Sequence, residues 1–139
     1  MSPAEVFVGI DVAKAALDVA TWPGEAAWRV GNDPRGIASL ADRLVALGPA
    51  GIVVEATGGL ERAAADALAA VGLAVAVVNP RQVRDFARAT GRLAKTDALD
   101  AATLAHFGAA IRPTPRPLPT ADASELRALV ERRRISARL

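Results

Sequence analysis

Apolar and polar residues alternate from Val6 to Val12, and the stretch is rich in β-branched types, which predicts a strand over 5–12. In it Val6, Val8 and Ile10 face one side, and Phe7, Gly9 and Asp11 the other. Further strands are predicted at Ala16–Thr21 and Ala26–Val30, with Trp22-Pro23-Gly24 as the turn between them. Such short spacings predict an antiparallel meander. Asn32-Asp33-Pro34 then starts a helix whose apolar positions are Ile37, Leu40, Ala41, Leu44 and Leu47, ended by Gly48-Pro49. Ile52–Glu55 is a short continuous apolar strand, of the kind covered on both faces. Thr57-Gly58-Gly59 is expected to open a helix through Val71, and Leu73–Val78 to form another covered strand closed by Asn79-Pro80. Helices are predicted from Arg81 to about Thr90 and from Thr96 to Ala110. The proline-rich Arg112–Pro119 reads as a stiff linker, and 121–138 as a last helix carrying the basic run Arg132-Arg133-Arg134.

The resulting order, β-β-β-α-β-α-β-α-α, predicts an α/β fold of the ribonuclease-H-like (RuvC-type) arrangement. Its mixed five-stranded sheet has three antiparallel strands followed by two parallel ones, with helices on both faces. Right-handed crossovers then put the fourth strand beside the first. The expected plan is a folded domain at 1–112, a linker at 113–120, and the start of a basic coiled-coil helix at 121–139.

Composition narrows the chemistry. The chain has 139 residues, 52% of them apolar, enough for one globular domain with a real core. It has no cysteine, so disulfides, zinc-thiolate sites and thiol catalysis are excluded. The N-terminus lacks the pattern of a signal peptide, and no apolar run approaches the ~18–20 residues of a membrane span, so no membrane association and a cytoplasmic location are expected. The net charge of +2 is unevenly placed. Residues 1–79 carry five Lys/Arg against nine Asp/Glu, whereas 80–139 carry twelve against six. That polarity suits a metal site beside a polyanion-binding surface, although a solvated basic face explains it equally well.

The candidate chemistry lies in four carboxylates, Asp11, Glu55, Asp97 and Asp100. Asp11 and Glu55 end strands that the topology makes neighbours, and Gly9 is expected to leave a bare patch beside Asp11 where a sugar-phosphate backbone could approach. Asp97 and Asp100 are three apart in a helical pattern, on one face. Four such oxygen donors at one place would repel unless they held a hard cation, for which Mg²⁺ or Mn²⁺ is suited. Two ions about 3.5–4 Å apart could activate an attacking oxygen and stabilise a leaving one in phosphodiester transfer. Each acid also has an ordinary reading, as a turn residue, a helix border, a macrodipole partner or a solvated position.

The candidate nucleic-acid contacts are basic: Lys14 and Lys95 within three residues of these acids, Arg81, Arg84, Arg88 and Arg92 along one helix and its exit, and Arg132, Arg133 and Arg134 in the tail. Thr57-Gly58-Gly59 is a weak anion-binding signal, with an ordinary turn the better reading. His106 falls about 240° round the helix from Asp100 and is not expected to be a ligand. Trp22 and Trp28 are expected to pack the meander.

The segments Val8-Gly9-Ile10-Asp11-Val12-Ala13-Lys14, Leu17-Asp18-Val19, Val54-Glu55-Ala56-Thr57-Gly58, Val77-Val78-Asn79-Pro80 and Ala94-Lys95-Thr96-Asp97-Ala98-Leu99-Asp100-Ala101, with Leu104-Ala105-His106-Phe107 after them, resemble a known family. The likeness, over about 6–112, is to the N-terminal domain of insertion-sequence transposases with a DEDD tetrad, akin to pilin-gene invertases. It implies a RuvC-like domain binding divalent metal through Asp11, Glu55, Asp97 and Asp100. DNA transposition or site-specific recombination follows, in some members guided by an element-encoded noncoding RNA, with self-association through the coiled coil. Leu60 stands where members usually have an aromatic residue. Members also continue into a C-terminal domain with a nucleophilic serine, whose setting Ser2, Ser39, Ser124 and Ser136 do not match, so a truncated chain is expected. The alternatives are a non-catalytic nucleic-acid-binding or regulatory fragment, and an actin-like or sugar-kinase ATPase fragment. The ATPase would need Gly, Ser or Thr where Val12-Ala13-Lys14 follows Asp11.

Overall fold

The computed structural model describes residues 5–24, 26–91 and 100–116. Strands β1 (Phe7–Val12), β2 (Ala16–Trp22) and β3 (Ala27–Gly31) form the meander, followed by α1 (Pro34–Leu47), β4 (Gly51–Glu55), α2 (Arg62–Ala70), β5 (Val75–Val78), α3 (Pro80–Ala89) and α4 (Ala101–Ile111). The five strands make one sheet in the order β3-β2-β1-β4-β5, with β1–β2 and β2–β3 antiparallel and β1–β4 and β4–β5 parallel. This is the α/β, ribonuclease-H-like arrangement expected from the element order.

The alternation of side chains divides the core between the two faces of the sheet. On one face Val8, Ile10, Val12, Leu17, Val19, Ile52 and Val54 pack against α1 and α2 through Ile37, Leu40, Leu44, Ala64, Ala65 and Leu68. On the other, Val53, Ala76 and Val78 pack against α3 and α4 through Val83, Ala87, Leu104 and Phe107. Helix α1 begins as its sequence requires: Asp33 is the N-cap, accepting from the Gly36 N–H at 2.7 Å, and Pro34 occupies the first turn. Left-handed Gly48 (φ 64°) closes it by donating to the Leu44 carbonyl.

Three expectations need correction. Helix α2 starts at Arg62, not at Thr57, because Gly58 (φ 76°) and Gly59 (φ 116°) turn the chain out of the helical region first. The helix predicted from Thr96 to Ala110 corresponds to α4, in which Asp100 has extended backbone (φ −122°, ψ 171°) and serves as the N-cap. Asp100 is therefore not a helical residue, and its sharing a helix face with Asp97 does not hold. The rest of that segment, with Arg92, Lys95 and Asp97, lies outside the described residues, as do Arg132, Arg133 and Arg134 and the helix expected at 121–138.

The third correction concerns Gly9. It is no bare patch for a nucleic acid; α4 covers it. A Cβ there would overlap the Ala101 carbonyl oxygen and the Ala105 nitrogen and lie 2.8 Å from Leu104 Cβ. Gly108, further along α4, comes as close to the Val53 side chain, where an added Cβ would sit 2.8 Å from Cγ2. Small residues on both partners thus let the helix backbone lie directly on β1 and β4. The last described residues, Pro113–Arg116, return along the opposite end of the sheet from Asp11. There the Arg116 N–H donates to the Val75 carbonyl at 2.8 Å and its guanidinium pairs with Asp66 at 2.7 Å. Gly9→Ala is expected to push α4 off the sheet and cost about 1–3 kcal/mol, read as a lower urea midpoint with an unchanged slope.

Candidate active site

The site is built on the sheet face that carries α3 and α4. Asp11 and Asp18 are directly paired across β1 and β2, and Asp18 is paired in turn with Arg29 on β3, so all three project to the same side. Glu55 ends β4, one residue beyond the Ile10–Val54 pair, on that same face. Asp100 arrives from the other direction, at the point where α4 docks on Gly9. Its Oδ1 accepts from the Thr103 N–H at 2.8 Å and the Thr103 hydroxyl at 2.7 Å, so the cap also aims the carboxylate.

The acids feel one another. Partial burial raises the Asp11 carboxyl above its usual range, and the negative charges of Asp18 and then Asp100 raise it further. Burial also raises Glu55, Asp11 adds to the rise, and Arg84 opposes it. The structure thus brings Asp11, Glu55 and Asp100 into one electrostatic cluster with Arg84 beside it. Among the described residues no three acidic or imidazole side chains stand close enough together to hold a metal ion. The donor set itself, all carboxylate oxygen, fits a hard divalent cation.

Asp18 was missed as a candidate. The signal was present, because the Asp11–Asp18 pairing follows from the tight β1–β2 turn, where the Ala13 N–H donates to the Ala16 carbonyl. Arg29 holds Asp18 through Nε to Oδ1 at 2.7 Å and Nη2 to Oδ2 at 3.2 Å. Lys14 lies exposed in that turn. Arg81, Arg84 and Arg88 share the exposed side of α3 opposite buried Val83 and Ala87, and Arg88 makes a long 3.7 Å ion pair with Asp85.

Two other candidates acquire structural roles. The backbone groups of Thr57-Gly58-Gly59 bind an anion, but it is the chain's own: Glu61 accepts from the Thr57 N–H (3.3 Å), the Thr57 hydroxyl (3.0 Å) and the Gly59 N–H (3.0 Å). His106 stacks on Trp22 with ring centroids 4.1 Å apart and meets the edge of Phe86 at 5.0 Å. Trp22 therefore reaches beyond the meander to α4, while Trp28 packs on the α1 side under the guanidinium of Arg43, 3.7 Å above its ring.

A DEDD transposase family model of the IS110 type, described as transposase, matches residues 8–138. The chain belongs to that family. It is similar in structure to Thermus thermophilus RuvC solved in complex with a Holliday junction substrate. That match has a TM-score of 0.57 and 18% identity, covering 81% of this chain and 99% of RuvC. A second Thermus thermophilus RuvC structure matches with a TM-score of 0.56 and 17% identity, covering 79% of this chain and 98% of that one. No curated protein matches the chain significantly. At these identities the RuvC structures show a common fold, with the mixed sheet in its expected order.

Two predictions follow from the electrostatics of this transposase domain. Burial raises the Glu61 carboxyl, but the hydrogen bonds it accepts outweigh that and hold it below its ordinary 4.5. A depressed carboxylate contributes stability above its unfolded-chain pKa, and the contribution disappears as pH falls through the lower folded value. Glu61→Gln is thus expected to cost about 1–3 kcal/mol at neutral pH and to lose that deficit below pH 4.5, measured by denaturant titration across pH. Asp11 has the opposite sign: its raised pKa means that the ionised form opposes folding above that pKa. Without divalent cation, Asp11→Asn is expected to raise the neutral-pH melting temperature by about 2–4 °C, after discounting the partly exposed site for solvent screening.

Proposed function

We propose that this transposase domain cleaves or transfers DNA phosphodiesters at a divalent-metal site formed by Asp11, Glu55, Asp97 and Asp100. The observation that carries the reading is the convergence of Asp11, Glu55 and Asp100, from three separated segments, on one end of one sheet face. Mutual repulsion among carboxylates is a cost that a fold has no reason to keep unless a cation offsets it. Family membership and the RuvC-like fold support the same chemistry.

Mg²⁺ or Mn²⁺, as two ions, would supply Lewis-acid polarisation of the scissile phosphate and a more acidic attacking water or hydroxyl. The chain's own groups do the rest. Asp11 and Glu55 stand on rigid paired strands, so their carboxylates keep their spacing when the substrate arrives. Asp100 is aimed by Thr103, which satisfies one of its oxygens and leaves the other for the site. Arg84, which acts on Glu55, neutralises substrate charge, and Arg81, Arg88 and Lys14 extend that role along the phosphate backbone. Arg92, Lys95 and the basic run Arg132, Arg133 and Arg134 belong to the same proposed surface. The RuvC relative was solved on a four-way DNA junction, which makes branched DNA a fitting substrate class for this chain. An element-encoded guide RNA and self-association through the helix predicted at 121–138 are part of the same proposal.

Asp97→Asn and Glu55→Gln are expected to abolish Mg²⁺ binding in calorimetric titration while leaving the circular dichroism spectrum and melting cooperativity intact. Unchanged Mg²⁺ affinity in both variants would reject the tetrad. Asp100→Asn separates two roles of one side chain, because asparagine keeps the helix cap. It should lose metal affinity with little change in stability, whereas Asp100→Ala should lose metal affinity and also about 1 kcal/mol of stability.

A further inference from the structure

The strand register sets four charged side chains in a row that crosses the sheet at right angles to its strands. Arg29 stands on β3, Asp18 on β2, Asp11 on β1 and Glu55 on β4. Helix α3 packs over β4 and β5 through Val83 and Ala87, so its Arg84 acts on Glu55 from the side away from β3. Three acids in line are thus bracketed by two guanidiniums, one from each flank of the sheet. Neighbouring strands lie about 4.8 Å apart, which puts Arg29 roughly 10 Å from Asp11 along the row.

The Arg29–Asp18 pair has an ordinary reading as a cross-strand ion pair, but little stability comes from it. The two side chains are 70% and 42% exposed, and ion pairs so open to water contribute almost nothing to folding. What the pair does achieve is orientation. Asp18 takes the Nε and Nη2 edge of the guanidinium at 2.7 and 3.2 Å, which leaves the Nη1 end for another acceptor. A planar fork held in place by a carboxylate meets a phosphate with little further ordering cost. The surroundings permit it, because Ala27, the next residue on that face of β3, is exposed like Arg29 itself. A DNA strand carries one phosphate per about 3.4 Å of duplex rise. A strand laid along the row therefore brings neighbouring phosphates to both guanidiniums while one lies at the acids.

We propose that Arg29 is a DNA-phosphate contact oriented by Asp18, on the opposite flank of the acids from Arg84. The reacting strand then crosses the sheet at right angles to the β-strands, from the β3 edge toward α3. Asp18 is a positioning residue in this arrangement and acts through Arg29. The proposal rests on the DNA-cleaving reading of the acidic cluster and adds to it the path of the substrate.

The full chain is titrated into a fluorescein-labelled four-way DNA junction and binding is followed by anisotropy at several KCl concentrations. Ca²⁺ is held constant throughout, as a hard cation suited to oxygen ligands. Arg29→Gln is expected to weaken binding and to reduce the slope of log affinity against log salt by about 0.9, the loss of one phosphate contact. Arg29→Lys restores the charge and is expected to restore the slope. Asp18→Asn leaves the Arg29 charge in place and removes a negative one, so its slope stays at the wild-type value and its binding is no weaker. A purely structural ion pair would instead make Asp18→Asn and Arg29→Gln fail together, and that result overturns the proposal. So does a wild-type slope in folded Arg29→Gln, or a slope left low by lysine. Calorimetry on Arg29→Gln is expected to show Mg²⁺ binding no weaker than wild type; weaker binding means that Arg29 serves the acids and not the DNA, and overturns the contact. A wild-type chain that binds the junction but no Mg²⁺ overturns the metal-site reading, while the slopes still decide the Arg29 contact. One that binds neither overturns both.

Discussion

Everything near the acidic end of this molecule depends on how closely α4 lies on β1. Gly9 has no side chain, and the helix backbone occupies the space where one would be. That contact brings the start of α4, and with it Asp100, to the strand that carries Asp11. It also sets the path of the helix over Gly108 and Val53 toward β4. A bulkier residue at either glycine would lift α4, and the acids would separate before any of them had been changed. The same placement carries α4 over β2, where His106 stacks on Trp22.

Two carboxylate environments within the domain show how context decides the use of a charge. Glu61 is buried and surrounded by donors, so its negative charge stabilises the loop before α2 and fills the backbone nest there with the chain's own carboxylate. Asp11 is partly buried among other carboxylates, and the neighbouring Asp18 is itself engaged by Arg29. Its charge opposes folding. That cost is the one a cation at the proposed metal site would offset.

Much of the architecture could be read from the chain before any fold was known. The period-two alternation of β1, the Asp33-Pro34 start and Gly48 end of α1, and the apolar run of β4 each depend on neighbours a few residues away. Their order restricted the sheet to one arrangement because crossovers are right-handed. Less legible were features set by distant contacts. The helix expected from Thr57 yielded to two left-handed glycines, and Asp100 left its helical position to become a cap. Asp18 looked like an ordinary strand residue until the register put it opposite Asp11.

The amino-acid sequence by itself determined the elements, their order, the family and the candidate acids, because periodicity, caps and local motifs are properties of neighbouring residues. Only the tertiary structure decided that Gly9 faces a helix and not a nucleic acid, that Glu61 occupies the glycine turn, that Arg84 stands beside Glu55, and that Trp22 stacks on His106 of α4. Those outcomes turn on which backbones approach within a few ångströms. That is settled by the packing of segments far apart in the chain, so no local pattern carries the information.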